Sequence, residues 1–223
     1  MKRTILALAL VVACVAPIAA QQENWALVRF QSLEELRLRT ETMLELGLTP
    51  VGIDASDERG LSMLFSRVPW WPAQAYRVEE IPSLDSLTDL VTTSIRDGWL
   101  PMDITFQDDR YIVLFTDAPD SVDGWRVIGT EARLSQIQTT LSQYRGEGFT
   151  AVGLTAVDET TIAHLFLALP ERDFPIPAVI GVPHDPEEAA AAIQSMVDDR
   201  WIPVGVTSTP DEIILAFIRN TAE

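Results

Sequence analysis

The chain has 223 residues, a net charge of −17 and a single cysteine. So acidic a surface repels phosphate backbones and anionic lipid headgroups, which argues against nucleic-acid binding and against electrostatic attachment to membranes. One cysteine cannot form an intramolecular disulfide, so stability has to come from apolar burial, for which the chain is long enough.

The first twenty residues have the features of a signal peptide. Lys2 and Arg3 are followed by an apolar run, and Ile18-Ala19-Ala20 supplies the small residues typical of a signal-peptidase site. The apolar run is shorter than the stretch of about 20 residues that spans a bilayer as a helix. We therefore predict that residues 1–20 are removed on export and that the mature chain has no transmembrane helix.

A second interpretation of the same segment stays open. Val11-Val12-Ala13-Cys14 resembles the bacterial lipobox, in which the cysteine is lipidated and becomes the new N-terminus. Lipidation at Cys14 would give a membrane-anchored lipoprotein, whereas cleavage after Ala20 would give a periplasmic or secreted protein. Both interpretations place the mature protein outside the cytoplasm.

From residue 24 onward, one pattern recurs four times at intervals of about fifty residues. An extended segment leads into a helix, which is followed by a second extended segment and by a closing strand ending in phenylalanine. Such periodicity is typical of architectures in which one small unit is repeated and neighbouring units share a core. The predicted β-α-β-β units are residues 24–68, 75–117, 124–169 and 177–220.

The first repeat shows the local signals of this unit. A strand is predicted at 25–30, and Ser32 with Glu35 forms a capping box at the start of a helix. The second and closing strands follow at 51–53 and 61–65. The order of elements is therefore strand, helix, strand, strand.

The second repeat follows the same order more clearly. Tyr76–Glu79 alternates apolar and polar residues, as a half-buried strand does. Ser83 is a good helix N-cap and Gly98 a good residue to end the helix. Strands are predicted at 99–106 and 111–115.

The third and fourth repeats carry equivalent helix signals. Leu134, Ile137 and Leu141 form the apolar stripe of the third helix. Asp185 is the predicted N-cap of the fourth helix, with Pro186 at its first position. These signals complete a set of four similar units.

The strand patterns predict the order within each sheet. The second strands carry proline and polar residues on one face, whereas the closing strands are apolar on both faces, as in Tyr111-Ile112-Val113-Leu114-Phe115. Proline is tolerated at strand starts and sheet edges, and a strand apolar on both faces suits a central position. We therefore predict an α+β fold of three-stranded mixed sheets, ordered 1-3-2, with one helix on one face and with the repeats packed in pairs.

Short motifs support this unit and also suggest a relative. Tyr76-Arg77-Val78 is followed after the helix by Gly98-Trp99-Leu100, and Trp125-Arg126-Val127 is followed by Gly148-Phe149. These segments resemble a small bacterial β-α-β-β domain of unknown function that reads Tyr-Lys-Val-Val, helix, Gly-Trp-Glu-Leu-Val and a hairpin. The first and fourth repeats depart from it at Leu48 and Arg200. The resemblance implies the fold of a repeat and brings no catalytic residues.

The sequence offers little support for histidine chemistry. His164 stands where the other repeats have apolar residues, and His184 precedes a predicted helix N-cap. No His-Glu-x-x-His, Gly-x-Ser-x-Gly or phosphate-binding glycine loop is present. We predict that the protein is not an enzyme and uses no cofactor. The alternative is a carboxylate-dependent hydrolase acting in a cleft between repeats.

An acidic pair recurs at the predicted tip of every hairpin. The pairs are Asp57-Glu58, Asp108-Asp109, Asp158-Glu159 and Asp211-Glu212. Asp favours tight turns and charge protects exposed hairpins, so we expect a structural role and no metal site. Clustered carboxylates could instead bind Ca²⁺ weakly, which would make this a Ca²⁺-stabilised envelope protein.

Aromatic and polar residues give the binding candidates. Trp70 and Trp71 lie in a linker between prolines, where they could contact a protein or a sugar or could fill the seam between two repeats. Asp103 and Thr105 lie on the polar face of a second strand. We predict an exported, non-catalytic binding or scaffolding module of the bacterial envelope, with an unknown protein or glycan partner. The aromatic residues that start the second strands are expected in the core: Trp99, Phe149 and Trp201.

Overall fold

Each of the four repeats forms a strand, a helix and a two-stranded hairpin in a computed structural model. It describes residues 20–21, 24–56, 60–68, 73–83, 85–107, 109–117, 122–157, 160–168 and 176–219. The four helices begin and end as follows: α1 Leu33–Glu45, α2 Asp85–Arg96, α3 Leu134–Gly146 and α4 Pro186–Asp198. A two-residue strand, β1 (Ala20–Gln21), pairs with the outer edge of the first repeat.

The remaining strands fall into three equivalent sets. The first strands are β2 Trp25–Phe30, β5 Tyr76–Ile81, β8 Gly124–Glu131 and β11 Ile176–Val182. The second strands are β3 Thr49–Ser56, β6 Trp99–Gln107, β9 Thr150–Ala156 and β12 Ile202–Ser208. The closing strands are β4 Gly60–Ser66, β7 Arg110–Asp117, β10 Thr161–Ala168 and β13 Ile213–Arg219.

Every repeat has its strands in the order first, closing, second, which confirms the predicted α+β fold and the 1-3-2 order. The sheets are antiparallel rather than mixed, because the closing strand separates the two outer strands that run in the same direction. Its central position explains why the closing strand is apolar on both faces. The phenylalanines at its end are fully buried in all four repeats: Phe65, Phe115, Phe166 and Phe217.

Local sequence signals set the helix boundaries. The Ser32 hydroxyl accepts the Glu35 amide at 3.2 Å, as in a capping box, whereas the Glu35 carboxylate accepts the amide of Gln31, the residue before the cap, at 2.8 Å. The Asp185 carboxylate accepts two amides of the first turn of α4. Helices α1 to α3 are each followed by a glycine with positive φ, such as Gly98 at 83°.

The fourth helix is followed by Arg200, which adopts the same left-handed conformation with φ 67°. A side chain in this region costs about 1–2 kcal/mol that glycine does not incur. We expect Arg200→Gly to raise the free energy of unfolding by about 1 kcal/mol, measured by urea denaturation. Arg200→Ala is the matched control, since it removes the side chain and keeps the strain. Equal stability of the two variants would contradict this explanation.

The four second strands form a closed ring around a central axis. β3 contacts β6, β6 contacts β9, β9 contacts β12, and β12 contacts β3. Each repeat therefore packs against two neighbours, so the arrangement extends beyond the predicted pairs. The largest apolar cluster contains residues from all four repeats, which shows that the repeats share a core. Radial repetition of this kind leaves few exposed sheet edges.

At three of the four seams, the helix of one repeat is hydrogen-bonded to the first strand of the next. The Tyr76 hydroxyl donates to the Arg37 carbonyl at 2.7 Å, which joins repeat 2 to α1. The Gln138 amide on α3 donates to the Pro177 carbonyl at 3.0 Å and accepts the Val179 amide at 3.2 Å, so it satisfies the open edge of β11. The same arrangement closes the ring, because the buried Trp25 indole donates to Gln194 on α4 at 2.9 Å.

Candidate functional site

The second strands approach one another closely at one repeated position. The residues at that position are Gly52, Asp103, Gly153 and Gly205. A β-bulge precedes each of them, which re-aims the strand toward the axis. A Cβ on Gly153 would lie 2.7 Å from the Met102 carbonyl oxygen, and one on Gly52 would lie 3.1 Å from the Val206 amide nitrogen. At Gly52 and Gly153, an added side chain would meet the backbone of a neighbouring strand.

Asp103 occupies the position that is glycine in the other repeats, and its side chain is completely buried. Its carboxyl group accepts the amides of Ile53 and Ile104, each at 2.8 Å, and also that of Leu154. Repeats 1, 2 and 3 are joined through this one group. Burial raises the pKa of Asp103 well above its ordinary value, and the neighbouring Asp54 raises it further, whereas the three amides lower it.

A second repeated position protects the inner edges of the sheets. It is occupied by Asp54, Thr105, Thr155 and Thr207, all of which are buried. Thr105 accepts the Ala55 amide at 3.0 Å, and Thr207 accepts the Ala156 amide at 2.9 Å. Asp54 accepts both the amide and the hydroxyl of Ser208, at 2.9 and 2.6 Å. An edge amide of one repeat is thus satisfied by a side chain of the next repeat around the ring.

The prediction that Asp103 and Thr105 line an accessible binding face is therefore wrong. The polar face of the second strands points at the neighbouring repeats, with Asp103 at 0% and Thr105 at 2% exposure. Their oxygens satisfy backbone amides that would otherwise be buried without partners. The recurrence of glycine at 52, 153 and 205 was the sequence signal for this close packing.

His164 is also a packing residue. Its side chain is 1% exposed, its Nε2 lies 2.9 Å from the Thr130 hydroxyl, and its ring lies 5.9 Å from that of Phe166. Its Nδ1 has no hydrogen-bond partner among the described residues. Burial lowers the pKa of His164 to about 4, so the ring is neutral at physiological pH. The other histidine, His184, contacts the Pro210 carbonyl at 3.2 Å.

The aromatic residues at the starts of the second strands are partly buried and not fully enclosed. The Arg77 guanidinium lies 5.1 Å from the Trp99 ring, and Arg126 lies 4.7 Å from the Phe149 ring. In the fourth repeat, the Arg219 guanidinium lies 5.7 Å from the Trp201 ring. Each aromatic ring therefore contacts the core with part of its surface and an arginine with another.

Several candidates from the sequence lie outside the described residues. These are Cys14, Trp70, Trp71, Asp57, Glu58, Asp108, Asp158 and Glu159. Of the described hairpin acids, Asp109 adopts a left-handed turn conformation with φ 60°, and Asp211 and Glu212 lie at the last hairpin. Within the described part of the chain, no group of three or more His, Cys, Asp or Glu residues is placed to hold a metal ion.

Two clefts lined by described residues open on the same end of the ring, which we call the tip end because it carries the hairpin turns and the helix N-termini. The smaller cleft, of about 240 Å³, lies between repeats 1 and 2 and is lined by Leu33, Glu80, Gln107, Arg110 and Ile112. The larger cleft, of about 510 Å³, lies between repeats 3 and 4 and is lined by Glu131, Ala132, Arg133, Thr160, Thr161 and Asp211.

Both clefts combine charges of opposite sign. Arg110 pairs with Glu80 at 3.1 Å in the smaller cleft, and Arg133 pairs with Glu131 at 3.5 Å in the larger one. The two seams that carry the clefts, 1–2 and 3–4, lie on opposite sides of the ring. The hydrolase alternative anticipated a cleft between repeats, but the sequence did not locate either of these two, since each is formed where two repeats meet and no local motif marks it.

Comparisons with known proteins found no relative of this chain. No family model, no curated protein and no solved structure matches the chain. The resemblance of the repeat to a small bacterial domain therefore stays a prediction. None of the helices described is long and apolar enough to cross a membrane.

Proposed function

We propose that the protein is an exported, non-catalytic binding or scaffolding module of the bacterial envelope that uses the tip end as its binding face. The two clefts carry this proposal. The larger cleft has a volume in the range of about 300–1,000 Å³ that is usual for ligand sites. Its carboxylates, guanidinium group and hydroxyls suit a polar partner, such as a glycan or a polar protein segment.

The two buried titratable groups with shifted pKa values, Asp103 and His164, favour a structural rather than a catalytic use. Asp103 accepts backbone amides from three strands, and His164 is enclosed between Thr130 and Phe166. Both side chains are fully buried, so a substrate cannot reach them without opening the ring. Their perturbed pKa values follow from burial in the packing of the repeats.

The binding proposal is tested with a mutation at the larger cleft and a matched one at the opposite end. Arg133→Ala is expected to weaken binding of purified envelope glycans or envelope proteins about tenfold, since losing a charged contact to a partner costs on the order of 1.5 kcal/mol. Arg96→Ala removes an equally exposed arginine at the end of α2 and should leave the affinity unchanged. Equal affinities of both variants and the wild type would discard the tip end as the binding face.

The hydrolase alternative has one observation in its favour, which is that Glu131 and Asp211 both line the larger cleft. Paired carboxylates are the usual catalysts of glycoside hydrolysis. Under this alternative, the wild type cleaves envelope glycans and both Glu131→Gln and Asp211→Asn abolish cleavage. Binding of an uncleaved glycan by the wild type would favour the binding module.

A further inference from the structure

The hairpin tip of the second repeat carries an aromatic pair that the other repeats lack. Phe106, near the end of β6, pairs across the hairpin with Tyr111 on β7, and their ring centroids lie 4.9 Å apart. Phe106 is 37% exposed, whereas Tyr111 is partly buried against the core of its own repeat. We call these two residues the tip aromatic pair.

The equivalent positions in the other repeats hold a small residue opposite a buried aliphatic one. These pairs are Ala55 with Leu61, Ala156 with Ile162, and Ser208 with Ile213. Because those repeats form the same hairpin without aromatic rings, the hairpin itself does not require them. Aromatic side chains are common anchors of binding sites, so the tip aromatic pair is a candidate contact for a partner.

The backbone of Phe106 offers a hydrogen-bond donor at the same place. Its amide points to the inner edge of β6, because the Ile104 amide two residues earlier points there and amide directions alternate along a strand. In the other repeats, a side chain of the next repeat accepts the equivalent amides, which are those of Ala55, Ala156 and Ser208. The equivalent acceptor for Phe106 is Thr155, but its hydroxyl donates to the Ala156 carbonyl at 3.4 Å. Within the described part of the chain, the Phe106 amide is therefore left without an acceptor.

We propose that the tip aromatic pair binds an uncharged N-acetylated glycan, with a sugar ring stacked on Phe106 and an acetamido carbonyl accepting the Phe106 amide. This inference rests on the proposed function, which it narrows from polar partners in general to one class of glycan. One face of a sugar ring consists of C–H groups that contact an aromatic ring well, and an acetamido group supplies a carbonyl acceptor beside that face. Phe106 provides both complementary groups.

Charge and surroundings favour this occupant over others. The net charge of −17 repels acidic polysaccharides. An aromatic anchor for a protein partner is usually surrounded by contacts that exclude water, whereas the next residues along this hairpin, Asp109 and Arg110, are charged and exposed. Gln107 and Arg110 also line the smaller cleft, so polar groups that suit sugar hydroxyls lie beside the tip aromatic pair.

The experiment compares two tetrasaccharides with the same backbone, tetra-N-acetylchitotetraose and cellotetraose, of which only the first carries acetamido groups. By calorimetry, we expect the wild type to bind the N-acetylated sugar about tenfold more tightly than cellotetraose. Phe106→Ala should weaken this binding about tenfold and still fold, because alanine occupies the equivalent position in repeats 1 and 3. Leu38→Ala on α1, which removes an apolar side chain that is 67% exposed, is the control and should keep the wild-type affinity.

A second measurement tests the backbone contact in the wild type. On titration with the N-acetylated sugar, the NMR shift of the Phe106 amide should move more than those of Ala55 and Ala156, whose amides already have acceptors. No binding of the N-acetylated sugar, equal affinity for the two sugars, unchanged affinity in Phe106→Ala, or an unmoved Phe106 amide would each overturn the inference. Binding of an envelope protein without either sugar would overturn this inference but not the proposed function, which Arg133→Ala tests separately.

Discussion

Replacing Gly153 by alanine is expected to destabilise the protein by about 3 kcal/mol or more, or to prevent folding, because added atoms in a closely packed centre force the backbone to move. The new Cβ would lie 2.6 Å from Asp103 Oδ1 and 2.7 Å from both the Asp103 Cα and the Met102 carbonyl oxygen. Two of these three atoms are backbone atoms, which cannot turn away as the end of a side chain can. The measurement is the free energy of unfolding in urea.

Two other strand glycines provide a graded comparison. At Gly205, the nearest atom to an added Cβ is the Leu154 Cδ2 at 2.6 Å, the end of a flexible side chain, so Gly205→Ala should cost less. At Gly129 on β8, the nearest atom is the Thr161 Cγ2 at 3.7 Å, an ordinary contact, so Gly129→Ala should be neutral or stabilising. A Gly153→Ala protein as stable as Gly129→Ala would show that the second strands do not meet at the axis.

Replacing His164 by leucine should make the protein much more resistant to acid. The pKa of His164 falls from 6.5 to about 4 on folding because the ring is buried, so the unfolded chain takes up a proton that the folded chain excludes. Stability due to the neutral ring is complete above pH 6.5 and is lost as the pH falls to about 4. The full loss is about 3 kcal/mol. Leucine is present at the equivalent position in repeat 4, Leu215, and has no proton to bind.

The measurement is the difference in unfolding free energy between wild type and His164→Leu, taken every half pH unit from 7.5 to 4. Other titrating groups, including Asp103, are common to both proteins and cancel in the difference. His184→Asn is the control, because this residue lies at a loop contact with Pro210. Parallel curves for wild type and His164→Leu would show that the imidazole is hydrated or charged in the folded state.

The elements of each repeat could be predicted from the sequence because local residues determine them. Ser32 and Asp185 cap helices through amides two or three residues away, and Gly98 ends a helix through its own φ angle. The order of strands could also be predicted, since a central strand must be apolar on both faces. Burial of His164 followed from the apolar residues at its equivalents.

The ring could not be predicted in the same way, because it depends on contacts between distant residues. Asp54 meets Ser208, and Trp25 meets Gln194, across 154 and 169 positions of the chain. A polar strand face can contact solvent or the amides of a neighbouring sheet edge. For Asp103 and Thr105, the sequence alone favoured contact with solvent. The clefts could not be located for the same reason, since their walls come from different repeats.

The contact between Trp25 and α4 has a consequence for how the protein reaches its final state. In an open solenoid, stability accumulates as units are added, and the end units are specialised to face water. In this ring, repeat 1 cannot pack against repeat 4 until α4 is available. If such a chain crosses a membrane with its N-terminus first, its ring cannot close until almost all of its residues have crossed.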